Sequence, residues 1–93
     1  MIYEISRKAL RQIEDIIRYT DENFGESQTD LYIGGLYNSF DILSDNPHMG
    51  VQYDQRRRRY IYRSHQVYYR VLKDRVLIVD IRNSRQSPPE VGR

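Results

Sequence analysis

Ninety-three residues, with 15 Lys/Arg against 13 Asp/Glu, no cysteine and two histidines, suffice for one modest core and not for two. The missing cysteine excludes a disulfide framework and a thiolate metal site, His48 and His65 alone do not make a metal centre, and no cofactor is implied. No apolar run approaches membrane-spanning length and the amino terminus lacks the apolar core of a signal peptide, so the expectation is a cytoplasmic protein without a membrane partner.

The net charge of +2 conceals an asymmetry. Residues 1–50 hold four Lys/Arg against nine Asp/Glu (4 − 9 = −5), and residues 51–93 hold eleven against four (11 − 4 = +7). The two halves therefore do different electrostatic work.

In chain order, residues 2–5 are β-compatible and short, an edge strand in prospect. Ser6 then serves as N-cap of a helix over 7–24, in which Ala9, Ile13, Ile16, Ile17 and Thr20 or Tyr19 fall on one side. Arg7 and Lys8 put positive charge at the positive end of that helix, a local mismatch. Gly25 ends it. A second helix is expected from about Ser27, with Asp30 in an imperfect capping box, to about Ser44, with Leu36, Phe40 and Leu43 inward. Gly34-Gly35 costs this helix about 1 kcal/mol per residue relative to alanine, which close approach of the first helix would explain. Asn46-Pro47 stops it, and residues 47–55 read as a loop.

The stretch from Arg57 to Arg85 contains three β-rich runs, 57–62, 65–72 and 76–82, separated by Arg63-Ser64 and Lys73-Asp74-Arg75. With a two-residue first turn, Tyr60 and Tyr62 share a face with His65, Val67, Tyr69 and Val71. A three-residue second turn adds Leu77, Val79 and Ile81 to that face. A two-residue second turn would instead bring Asp80 onto it, so the three-residue turn is preferred. The opposite face then carries Arg57, Arg59, Gln66, Tyr68, Arg70, Asp80 and Arg82.

The order β-α-α-β-β-β predicts a two-layer α+β domain, a helical hairpin packed on the apolar face of a mainly antiparallel four-stranded sheet. The domain spans 1–87, with 88–93 as a tail, and the basic, tyrosine-bearing face is expected to stay exposed. Arg56 to Arg59 read either as charge protecting an edge strand or as a surface for phosphate or acidic partners. The adjacent carboxylates Glu14-Asp15 and Asp21-Glu22 point about 100° apart on a helix and form a solvated face rather than an acid/base pair. His65, with no nucleophile or metal beside it, reads as structural.

The ordered set of Ala9, Ile13, Ile16 and Tyr19, Phe24-Gly25, Leu36, Phe40, Leu43, Asn46-Pro47 and Gly50 resembles the helical half of the RelE/ParE toxin superfamily. Residues 64–71, SHQVYYRV, resemble that family's "sHviFYRv" strand, and residues 77–82, LIVDIR, its last strand. The resemblance covers about residues 2–87 and implies the toxin of a type II toxin–antitoxin system of the kind that stabilises plasmids, neutralised by a small antitoxin, ParD-like or similar. Two activities occur in the superfamily. RelE-type members cut mRNA on the ribosome, and ParE-type members poison DNA gyrase without chemistry of their own. The family ending "H-x-R-x-D" is here Asn83-Ser84-Arg85-Gln86-Ser87, and no tyrosine follows Tyr69, so a general acid or base near the carboxy terminus is lacking. The resemblance therefore points to a ParE-type gyrase inhibitor, not an enzyme, with an mRNA endoribonuclease and a non-toxic antitoxin-binding module as alternatives. Candidate target-binding residues are Arg57, Arg59, Tyr68, Arg70, Arg82 and Arg85 with the tail from 86 to 93; no catalytic residue is assigned, and the antitoxin-binding residues are undetermined.

Overall fold

The computed structural model describes residues 1–92; Arg93, the last residue of the expected tail, lies outside the described residues. The chain runs β1 (Ile2–Ile5), α1 (Arg7–Phe24), α2 (Glu26–Asp45), β2 (Val51–Gln52), β3 (Arg58–Tyr62), β4 (His65–Val71) and β5 (Arg75–Asn83). The strands form one sheet in the order β1-β5-β4-β3-β2, in which β1 lies parallel to β5 and the other pairs are antiparallel. Two helices on a mixed sheet match the expected architecture, with one strand more than expected. The addition is β2, two residues of the predicted loop that pair with Arg58 and Arg59. So short a strand carries no alternating pattern to detect.

The core lies between the layers: Ala9 and Ile13 from α1, Leu36, Phe40 and Leu43 from α2, and Val67, Tyr69, Val76, Ile78 and Ile81 from the sheet. The Ser6 hydroxyl accepts the Ala9 N–H at 3.1 Å, the N-cap expected of it. Gly25, at φ 87°, joins the helices directly, its N–H donating to the Asp21 carbonyl at 3.1 Å. A side chain would be strained there, and the expected Ser27 start is displaced to Glu26 with Gly25 as N-cap. Gly35 is explained differently from expectation. A Cβ there would overlap the Tyr62 hydroxyl and come within 2.9 Å of its Cζ, so β3 rather than α1 demands the glycine, whereas nothing lies within 4 Å of a Cβ at Gly34.

The β4–β5 hairpin resolves the register question in an unexpected way. Val71 faces Val76, and the Leu72 N–H donates to the Arg75 carbonyl at 2.8 Å, so the turn is the two-residue Lys73-Asp74. Val76 and Ile78, not Leu77 and Val79, are the buried partners of Val71 and Tyr69. A β-bulge then inserts Val79, after which Asp80 pairs with Tyr68 and Ile81 with Val67. The extra residue keeps Asp80 off the apolar face despite the short turn, and Ile81 still enters the core.

Candidate functional site: the outer face of the sheet

The face of the sheet turned away from the helices is the expected basic surface, but it is not bare. Asp80, on the bulge, has a side chain only 3% exposed and accepts from Gln12 Nε2 at 2.7 Å, Lys8 Nζ at 3.0 Å, and Arg82 Nε and Nη2 at 3.2 and 3.1 Å. Burial opposes its ionisation, yet the hydrogen bonds from Arg82, Gln12 and Lys8 outweigh that and hold its pKa below the ordinary carboxylate value. Lys8, locally misplaced at a helix N-terminus, is thereby accounted for. Gln12 also accepts the Ile81 N–H at 2.7 Å, beyond the point where β1 pairing ends at Ile78. The first turns of α1 thus satisfy β5 where its edge strand stops.

A second buried carboxylate organises the loop before β3. Asp54, 2% exposed at its side chain, receives Arg57 Nη2 at 2.6 Å and Nε at 3.0 Å, the backbone N–H groups of Arg56 and Arg57 at 3.0 and 2.7 Å, and that of Gly92 at 2.8 Å. The hydrogen bonds from Arg57 foremost, with those backbone donors, hold Asp54 far below the usual carboxylate range against the opposing effect of burial. Arg57 also lies 5.4 Å over the Tyr53 ring, which packs edge-on against Tyr68 with centroids 4.9 Å apart.

The segment after β5 crosses this face. Arg82 Nη1 donates to the Ser87 carbonyl at 3.0 Å, the Tyr53 hydroxyl to the Pro89 carbonyl, and Arg57 Nη2 to the Glu90 carbonyl at 2.5 Å, while Pro89 itself is buried. The expected open face is therefore half covered, because a Pro-Pro segment that cannot extend a strand can still lie across one and accept from arginines.

The six sequence-derived candidates separate accordingly. Tyr68 is fully buried, its hydroxyl donating to Gln66 Oε1 at 2.9 Å. Arg57, just outside β3, and Arg82 are tied to Asp54 and Asp80. Arg59 on β3 and Arg70 on β4 are half-buried, Arg85 is exposed in the turn after β5, and among the described residues none of these three pairs with a carboxylate. Sequence reading missed Lys8, Tyr53 and Asp54 as parts of this face. Asp54 three residues before Arg57 was the available signal, obscured because the segment read as plain loop. Arg57, Arg70 and Lys8 line one cleft of about 340 Å³ with Arg56, Asp54, Asp80, Val79 and Gly92.

His65 sits on the other side of the sheet, under α2. Its Nδ1 lies 2.6 Å from the Tyr32 hydroxyl, which is 2.9 Å from Ser64 Oγ, and burial lowers its pKa. Among the described residues no group of three or more His, Cys, Asp or Glu is placed to hold a metal ion, and no helix is long and apolar enough to cross a membrane.

A helical hairpin packed on a mixed sheet with a basic outer face places the protein in the two-layer α+β class. Residues 3–88 match the family model described as ParE toxin of type II toxin-antitoxin system, parDE, and the chain belongs to that family. Among solved structures it is similar to a chain described as the chromosomal ParDE TA system from P. aeruginosa. The TM-score is 0.77 at 17% identity, covering 89% of this chain and 95% of that one, a likeness of fold. No curated protein matches the chain.

Proposed function

We propose that this ParE-family toxin acts in the cytoplasm by binding DNA gyrase and favouring its cleaved-DNA complex, and that a cognate, ParD-like antitoxin neutralises it. Family membership over residues 3–88 supports the toxin half of this reading. The observation that carries the mode of action is that the tyrosine hydroxyls of the basic side are engaged, Tyr53 donating to the Pro89 carbonyl and Tyr68 to Gln66 Oε1. From Arg70 to Gly92 there is no histidine or tyrosine, Asp54 and Asp80 are held ionised by several donors each, and His65 is engaged with Tyr32 on the helical side. Phosphodiester cleavage needs an unengaged acid or base to move protons, whereas stabilising another enzyme's complex needs only a binding surface.

The antitoxin on this reading is an acidic or amphipathic segment that folds onto the toxin, its carboxylates drawn to the basic half of the chain. Arg59 and Arg85 remain the target-contact candidates without a structural partner, joined by Arg70. Arg57 and Arg82 would act indirectly, by shaping the surface. Induced expression in bacteria tests this. Growth should arrest, recover with the antitoxin co-expressed, and be arrested less by the Arg59→Ala variant than by wild type at equal soluble protein. Arrest accompanied by shortened transcripts and normal supercoiling would replace gyrase by ribosome-bound mRNA.

A further inference from the structure

We propose that the outer-face cleft beside the first turn of α1 is a phosphate-ester site, in which Arg56, Arg70 and Lys8 bind the phosphate of a nucleotide or of a nucleic-acid strand. Its lining carries four cations, Lys8, Arg56, Arg57 and Arg70, against two carboxylates, a local charge of +4 − 2 = +2. Both carboxylates are already saturated. Asp54 accepts two bonds from the Arg57 side chain and three from backbone N–H groups, and Asp80 accepts from Lys8, Gln12 and Arg82.

The guanidinium groups of Arg56 and Arg70 therefore have no partner among the described residues, although they border the same cleft. Lys8 spends one of its three donors on Asp80 and keeps two. Asp54 fixes the 53–57 loop through the Arg56 and Arg57 amides, so the backbone that carries Arg56 is pre-positioned. Two planar guanidinium forks and an ammonium around one space suit a phosphate ester, with its several acceptor oxygens, better than a single carboxylate. At about 340 Å³ the cleft exceeds a bare phosphate and leaves room for the organic group esterified to it. This site lies beyond the gyrase reading: supercoiling inhibition can fail while phosphate binding holds, and the reverse.

The test is an NMR titration of the full chain, observing arginine Nε–H resonances, with thymidine 5′-monophosphate, thymidine and an unphosphorylated dT hexamer. Expected are saturable shifts of Arg56 and Arg70 with the monophosphate and none with thymidine. Arg70→Gln should weaken binding about tenfold, the loss of one charge-assisted contact, while Arg59→Gln, an equal charge change outside the cleft, changes it less than about twofold. The shifts in the unsubstituted chain carry the test even where Arg70→Gln fails to fold. Tighter binding of the hexamer would assign the site to strand phosphodiesters, and tighter binding of the monophosphate to a free nucleotide. Absence of shifts, an equal loss with Arg59→Gln, or displacement of the monophosphate by a hexaglutamate peptide of higher affinity would overturn the proposal, the last by making it a carboxylate site.

Discussion

Two aspartates hold the outer face in place, and each joins donors close in sequence to at least one from a distant segment. Asp80 joins α1 to β5, and Asp54 joins the loop before β3 to the segment that follows β5. Replacing Asp80 with Asn should lower stability by about 2 kcal/mol in urea unfolding with an unchanged m-value, since charge-assisted bonds from Lys8 and Arg82 are lost while both cations can still reach water. Both aspartates have pKa values depressed in the fold. The unfolded chain takes up their protons first as pH falls below about 4, so their stabilisation is complete above that value and is lost progressively towards the folded pKa. Burial also depresses His65, which adds a smaller loss in the same direction beginning near the unfolded histidine value of about 6.5. Stability measured against pH should therefore fall in two stages on acidification. His65→Gln should remove the first, and Asp54→Asn should flatten the second; a profile flat from pH 7 to 3 would contradict both assignments.

At the scale of elements, the paired glycines of α2 make opposite predictions. Gly34→Ala should stabilise the protein by about 1 kcal/mol through helix propensity, because an added methyl meets nothing within 4 Å. Gly35→Ala, driven into the Tyr62 hydroxyl, should destabilise it by about 1–3 kcal/mol, and thermal unfolding of the two variants separates them. A close approach was legible in the sequence and holds at Gly35 but not at Gly34, and its partner was not legible, since helical spacing names a face and not what crosses it. Ser6, α1 and the inward spacing of Leu36, Phe40 and Leu43 were legible because periodicity and caps are local. The β4–β5 register was only half legible. Alternation in VLIVDIR favoured the three-residue turn because of Asp80, and the bulge at Val79 overturned that preference by satisfying the two-residue turn while keeping Asp80 out of the core.

For the molecule as a whole, the segment after β5 belongs to the outer face rather than trailing from it. Its carbonyls at Ser87, Pro89 and Glu90 accept from Arg82, Tyr53 and Arg57, and Pro89 is buried. Ending the chain after Gln86 should cost about 2–4 kcal/mol through four lost hydrogen bonds, the Gly92 N–H to Asp54 included, and the uncovering of Tyr53 and Tyr68, read as a lower urea midpoint. This cover explains why the charge asymmetry of the sequence pointed to the outer face without showing which of its arginines are free. Arginine counts do not reveal which guanidinium groups are consumed by a neighbouring carboxylate, and Arg57 and Arg82 are consumed whereas, among the described residues, Arg59, Arg70 and Arg85 are not. The family defines a toxin, and the gyrase reading of its action is the proposal most in need of a direct test. The most direct measurement is plasmid supercoiling by purified gyrase with ATP, titrated with the folded toxin and reversed by adding the antitoxin. Loss of supercoiling, with linear DNA released by denaturation and protease, is the predicted result; unchanged supercoiling at a large excess of folded toxin would contradict gyrase as its target.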